Sequence, residues 1–209
     1  CSIVGCYVVL RGMAFLGDAV AHAILPGVAI AYLLNGSLTL GALIASILVA
    51  LGIGELTRQG NIKEDSAIGI LFTAALALGV AMISSIRTYA VDLSHILFGN
   101  ILGISKNDIL LTAGLSLVVL AAIVIFYRPF LVISFDPVLA ATLRIPIRKL
   151  NNLLLILIAL TIVISLQTVG IGLVAAMLVT PPSTAYLLTK RLGPMMGISS
   201  IVGVLASVT

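Results

Sequence analysis

The chain has 209 residues, of which 61% are hydrophobic and only 9% are charged. Soluble domains carry about 25% charged residues, so this composition excludes an ordinary water-soluble fold. The net charge of +4 comes from 11 basic residues scattered in short loops, which form no continuous basic face for nucleic acid. We expect that the sequence is trimmed at both ends, because residues 1 and 209 each lie inside an apolar run.

The apolar segments that follow in chain order predict membrane spans. A helix of about 20 residues crosses the hydrocarbon core. The segments that qualify are residues 13–34, 38–56, 67–86, 109–127, 150–166, 169–189 and 192–209, preceded by an apolar stub at residues 1–10. Residues 93–104 are too few to cross, so we predict a re-entrant or interfacial segment there. The predicted fold class is all-α, a polytopic transmembrane helical bundle that forms a single domain over residues 1–209.

The basic residues predict the orientation of these spans. Lysine and arginine in short loops accumulate on the cytoplasmic side of a membrane. If Arg11 is cytoplasmic and the segment 93–104 returns to its own side, alternation places Arg87 and Lys106 outside. The other basic residues then lie inside, namely Arg58, Lys63, Arg128, Arg144, Arg148, Lys149, Lys190 and Arg191. This asymmetry supports the assignment of residues 93–104 as non-spanning.

The longest stretch between spans is the cytoplasmic segment 128–149. Asp136 followed by Pro137 is typical of a helix start, and Pro146 marks its end. The sequence therefore predicts a helix of about ten residues on this loop. It carries four apolar side chains into water: Val138, Leu139, Leu143 and Ile145. Such a surface either docks on a partner protein or rests on lipid headgroups.

Asp18 and His22 are the residues with ionisable side chains that lie well within a predicted span. A charge near the bilayer centre costs at least about 3 kcal/mol, so such residues usually face a bundle interior and mark a pathway. Their separation by four positions places both side chains on one helical face. Three interpretations remain open: a metal site of carboxylate oxygen and imidazole nitrogen, a proton relay, and a structural hydrogen bond.

The metal interpretation has two consequences for the structure. Two ligands are too few for a metal ion, so this interpretation predicts a symmetric homodimer that supplies two copies of each on a two-fold axis. Pro26 has no N–H to donate to the carbonyl of His22. We therefore expect the helix to be loosened just past the pair.

A second polar group comprises Asp92, His95 and Asn100 in the short extracellular segment. Asp92 suits a helix N-cap with His95 in the first turn of that helix. The alternative is an entry vestibule where a delivered cation is first met. The charged residues between positions 55 and 65 are expected to form a solvated cytoplasmic cluster.

Sequence motifs for catalysis are missing from the chain. It has no phosphate-binding loop of the G-x-x-x-x-G-K-[ST] type, no His-Glu-x-x-His motif and no nucleophile with a visible base. We therefore expect that this subunit alone is not an enzyme. Any ATP hydrolysis coupled to it must occur on another chain.

Four stretches of the sequence together resemble one known family. They are LRGMAFLGDAVAHAILPGVAIAYLL, HILFGNILGIS, FDPVLAATLRIPIRKLNNLLL and QTVGIGLVAAMLVTPPSTAYLL. The chain resembles the membrane permeases of the bacterial manganese, zinc and iron ABC importers, a branch of the family that also contains iron-siderophore and vitamin B12 importers. The four stretches cover most of the chain in the expected order.

The resemblance implies a multi-pass protein of the bacterial plasma (inner) membrane that works as a homodimer. It implies two further partners, a cytoplasmic ABC ATPase dimer and an extracellular metal-binding lipoprotein or periplasmic protein. Asp18 and His22 match the family's metal-coordinating pair, and the helix between Asp136 and Pro146 matches the coupling helix that docks on the ATPase. Manganese is the first candidate for the transported ion and zinc or iron the alternatives, with no permanently bound cofactor. A proton-coupled secondary metal carrier is the alternative from another class.

Overall fold

The computed structural model describes residues 1–58, 62–84, 106–135, 137–143, 146–189 and 191–208. In these ranges all regular secondary structure is helical. The helices are α1 Ser2–Leu10, α2 Leu16–Ala23, α3 Leu25–Leu33, α4 Leu38–Arg58, α5 Glu64–Ser84, α6 Lys106–Ile125, α7 Tyr127–Phe135, α8 Pro137–Thr142, α9 Ile147–Val169, α10 Ile171–Leu188 and α11 Leu192–Val208. The predicted all-α fold is confirmed.

Several of these helices are long and apolar enough to cross a membrane. Within the described residues five candidate spans meet both conditions: Leu16–Leu33, Leu38–Thr57, Glu64–Ser84, Ile147–Leu166 and Ile171–Leu188. A further candidate combines α6 and α7, which meet at a bend of 68°, and the shorter apolar helix Leu192–Ser207 closes the set. The polytopic bundle is therefore as predicted, whereas the proposed re-entrant segment 93–104 lies outside the described residues.

Helix α9 lies at the centre of the bundle. It packs against α4, α6 and α2 and also contacts α1, α7 and α10. Leu154, Ile158 and Ile162 are fully buried along it. Because a helix that is apolar on all sides can be enclosed by other helices, the long leucine- and isoleucine-rich run of α9 explains its central place.

The crossing of α3 and α4 depends on two glycines. A Cβ atom at Gly27 would collide with the backbone carbonyl oxygen of Gly41, and a Cβ atom at Gly41 would collide with that of Gly27. In lipid, small residues allow helix backbones to approach closely and gain packing contacts. Gly27 and Gly41 therefore fix α3, the second half of the span that starts with α2, against α4.

Segment 128–149, which the sequence predicts to be cytoplasmic, differs from its prediction in its number of helices. The sequence predicts one short helix there, but the structure has two, because residues 127–135 form α7. The apolar side chains of this helix supply the physical reason. Phe130 and Ile133 are buried, and the ring of Phe130 packs edge-on against Tyr7 of α1 at a centroid distance of 5.8 Å.

Helix α8 begins at Pro137, as the helix-start signal predicts, but its described range ends at Thr142 and is shorter than expected. The hydroxyl of Thr142 donates to the carbonyl of Leu139. Leu139 and Leu143 are exposed, as a docking surface or a headgroup contact requires. Asp136 and Ile145 lie outside the described residues, as does the side chain of Val138.

Candidate functional site

Helix α2 is enclosed on most sides by other parts of the chain. It contacts α4, α5, α9 and α10, and its buried residues are Leu16, Gly17, Ala19, Val20, Ala21 and Ala23. Two positions interrupt this burial, since the side chains of Asp18 and His22 are 51% and 29% exposed. The ionisable pair therefore lies on the open stripe of an otherwise buried helix.

The two side chains lie on the same helical face, as their spacing predicts. His22 Nδ1 is 3.5 Å from a carboxylate oxygen of Asp18 and 2.9 Å from the backbone carbonyl oxygen of Asp18. Because a carbonyl oxygen can only accept, this hydrogen bond assigns the ring proton to Nδ1. In the neutral imidazole this leaves the lone pair on Nε2, which is the atom that can bind a metal.

Phe72 of α5 holds the imidazole ring of His22 from the side. The two ring centroids are 5.9 Å apart and the ring planes meet at 79°, which is an edge-to-face contact. Such contacts restrict the rotation of both rings. Residue spacing gave no signal for this contact, because Phe72 lies in the middle of another apolar span.

The helix is interrupted directly after the pair. Helix α2 ends at Ala23 and α3 begins at Leu25, with Pro26 in the first turn of α3. Proline fits a first helical turn because it has no N–H to donate, so the carbonyl of His22 loses its usual helical donor and accepts instead from a backbone N–H at the cap of α2. The predicted loosening just past the pair is therefore present.

The open stripe continues in both directions from the pair. Phe15, Ile30 and Leu33 are exposed large apolar residues, and they follow the spacing of three to four residues that defines one helical face. The pair thus lies within an apolar surface that runs along α2 and α3.

The described part of a single copy of the chain offers too few groups for a complete metal site. Among the residues that the structure describes, no cluster of three or more His, Cys, Asp or Glu side chains is present. Structural and catalytic metal sites use at least three protein ligands. The second predicted group, Asp92, His95 and Asn100, lies outside the described residues.

Another polar cluster lies beside the C-terminal end of α1. Its centre is Arg11, whose side chain is 7% exposed and 3.7 Å from the carboxylate of Glu64. Arg148 and Glu55 pair at 3.4 Å in the same region. Glu55 and Glu64 were expected to belong to a solvated charge cluster. Each pairs with an arginine from another part of the chain, and Glu55 and Arg148 are 46% and 64% exposed. Sequence spacing contains no signal for either pair.

The comparisons with known proteins agree on one family. The model of the ABC 3 transport family matches residues 1–209. The manganese transport system membrane protein MntC of Halalkalibacterium halodurans is 50% identical over 208 residues, which cover 100% of this chain and 71% of that protein. A probable iron transport system membrane protein of Haemophilus influenzae is 41% identical, with 99% and 79% covered.

A solved structure shows the same fold. The chain is similar to a chain in the structure of PsaBC from Streptococcus pneumoniae in complex with Fab. The TM-score is 0.83 at 41% sequence identity, and the match covers 99% of this chain and 74% of that chain. The helical arrangement described above is therefore shared with a membrane protein of known structure.

Proposed function

The chain belongs to the ABC 3 transport family, and from this premise we propose that it is the permease subunit of an ATP-driven importer whose substrate is a divalent transition metal, manganese. The observation that carries this proposal is the open pair of Asp18 and His22 on a buried membrane helix. A carboxylate and an imidazole that both face outward from the protomer are available to an ion.

The exposure of this pair supports a homodimer. A charged side chain that faced lipid would cost several kcal/mol, so the open stripe of α2 must face protein or water. A second copy of the chain, related by a two-fold axis, supplies a second Asp18 and a second His22. The dimer then offers four oxygen and nitrogen ligands to one ion. The exposed Phe15, Ile30 and Leu33 on the same stripe extend the apolar contact on either side.

Manganese is favoured by the relatives and not by the ligand chemistry. Carboxylate and imidazole groups bind Mn²⁺, Fe²⁺ and Zn²⁺, and the order of intrinsic affinities places zinc above manganese. The MntC relative is named for manganese transport, and the Haemophilus relative is named for iron. Iron is therefore the second candidate and zinc the third. Selection among them rests with the extracellular binding protein and with the rates of transport.

The cytoplasmic partner is a separate ABC ATPase dimer that docks on α8. Leu139 and Leu143 are exposed on this short element, and the sequence contains no nucleotide-binding motif of its own. Exposed apolar side chains outside the membrane are typical of a protein interface. An extracellular metal-binding lipoprotein or periplasmic protein would deliver the ion from the other side.

The experiment uses the complete transporter, with its ATPase and binding protein, in proteoliposomes that take up radioactive Mn²⁺. Asp18→Ala and His22→Ala should each lower uptake by about 100-fold, because removal of either ligand takes two of the four groups from the dimeric site. Asp65→Ala is the matched control, since Asp65 is an exposed carboxylate in the first turn of α5. In the same preparations, Leu139→Asp should reduce the amount of ATPase that copurifies.

Two results would contradict the proposal. Uptake at the wild-type rate in either site variant would exclude the metal pair. Uptake that continues when the ATPase is inactivated would exclude an ABC importer and favour a proton-coupled carrier, in which Asp18 and His22 pass protons.

A further inference from the structure

Arg11 is a buried cation that contacts three other helices. Its Nε donates to the hydroxyl of Ser134 in α7 at 3.4 Å, and its Nη1 donates to the side-chain oxygen of Asn151 in α9. The same Nη1 lies 3.7 Å from the carboxylate of Glu64 in α5. A guanidinium group presents five N–H donors in a fixed plane, which suits it to join several elements at one point.

The charge of Arg11 is buried, which is energetically unfavourable for a cation. It lines a cavity of about 590 Å³ together with Thr57, Asn152 and the residues already named. Burial lowers the pKa of Arg11, and the carboxylate of Glu64 acts in the opposite direction. An arginine serving only to mark the cytoplasmic side would extend into water, as Arg148 does with 64% exposure. Arg11 is instead enclosed and shared among helices.

The backbone at Arg11 leads directly into α2, the helix that carries Asp18 and His22. Gly12 has a φ of +72°, the N–H of Met13 donates to the carbonyl of Val8, and the N–H of Gly12 donates to that of Val9. This is the Schellman motif, which satisfies the last carbonyls of a helix and fixes the direction of the chain that follows. Met13 is fully buried, and α2 starts three residues later. A shift of Arg11 is therefore passed on to α2.

The side chain of Arg11 contacts α7, and α7 is followed directly by α8, the proposed docking helix. Ser134 lies in the last turn of α7, and α8 begins three residues after it. Helix α7 packs against α8 on one side and against α1 and α9 on the other. We propose that Arg11 is a positioning residue that couples movement of α8 to α2 and its metal pair, an inference that rests on the proposed function.

The test measures how much Mn²⁺ is transported for each ATP hydrolysed by the complete transporter in proteoliposomes. Arg11→Gln should lower this ratio by about 10-fold, the usual size of coupling between two sites. Binding of Mn²⁺ to the purified transporter and copurification of the ATPase should stay at wild-type levels. Arg148→Gln is the matched control, because it removes the same charge from an exposed position on the same cavity, and its ratio should not change.

The outcomes separate this inference from the proposed function. A wild-type ratio in Arg11→Gln, or an equal loss in Arg148→Gln, would overturn the role of Arg11 alone. Failure of the wild-type transporter to take up Mn²⁺ would overturn the proposed function as well. Should Arg11→Gln fail to assemble, Ser134→Ala combined with Asn151→Ala decides the question: a lowered ratio supports the coupling, and an unchanged ratio refutes it.

Discussion

Arg11 and the pair that begins with Asp18 lie seven residues apart in this chain, but their surroundings differ. Arg11 is enclosed, with partners on α5, α7 and α9. Asp18 and His22 are open, and they contact each other and Phe72. Buried polar groups in proteins normally have their partners within the fold. In the proposed dimer, the open pair is where the second copy of the chain would complete the site.

The difference has an energetic basis. Removing one member of a buried charge pair leaves the other charge without compensation in a medium of low dielectric constant. Removing an exposed side chain leaves no such defect. Loss of one member of the enclosed cluster is therefore expected to destabilise the fold, whereas loss of one member of the open pair is not.

Stability measurements on two alanine variants test the comparison directly. Arg11→Ala should lower the free energy of unfolding by about 2–3 kcal/mol, because Ser134 and Asn151 lose their hydrogen bonds to a buried charged group. Asp18→Ala should change it by no more than about 0.5 kcal/mol, as for other exposed positions. Denaturant titration of the purified transporter in detergent measures both. Equal losses in the two variants would show that the open pair is also structural.

The packing of α3 tests whether the open pair lies on a rigid support. Gly27→Ala should destabilise the transporter by about 1–3 kcal/mol, because the added methyl group collides with the backbone of α4 and forces the helices apart. Gly69→Ala is the control, since a Cβ atom there meets no heavy atom within 4 Å. The same denaturant titration applies. A Gly27 variant as stable as the Gly69 variant would contradict the close crossing.

The smallest expected effect concerns the orientation of the imidazole ring. Phe72→Leu removes the edge-to-face contact with His22, and such contacts contribute about 0.5–1.5 kcal/mol. The dissociation constant for Mn²⁺, measured by calorimetry on the purified transporter, should therefore rise about 2- to 10-fold. Phe135→Leu makes the same change at an exposed phenylalanine of α7 and should leave it unaltered. An unchanged affinity in Phe72→Leu would mean that the carbonyl of Asp18 alone orients the ring.

The spans could be predicted from sequence because lipid permits few alternatives. A backbone in hydrocarbon must satisfy its own hydrogen bonds, so a long apolar run becomes a helix. The predicted span 38–56 lies within α4, Leu38–Arg58, and the predicted span 150–166 lies within α9, Ile147–Val169. Helix α7 was missed, since its start at the polar residues Arg128 and Pro129 suggests a loop. Its formation depends on the burial of Phe130 against the distant Tyr7.

The polar groups likewise include features that the sequence predicts and features that it does not. The shared face of Asp18 and His22 follows from helical periodicity, a local property that the sequence displays. The partners of Arg11 do not follow from any local pattern, because Ser134 and Asn151 are separated from it by 123 and 140 positions. The packing of the helices, and not the separation of these residues along the chain, brings them together. Only tertiary structure identifies them.

The bend of 68° between α6 and α7 has a mechanical consequence for the proposed importer. A helix at this angle to the preceding span does not slide along it, so a push on its far end turns it about its near end. The nine residues of α7 form a lever of about 13 Å. Phe130 packs in the half nearest the bend, and Ser134 lies close to the far end. The stroke of the ATPase would thus enter the permease as a rotation, and the stiffness of one short helix would set how much of it arrives.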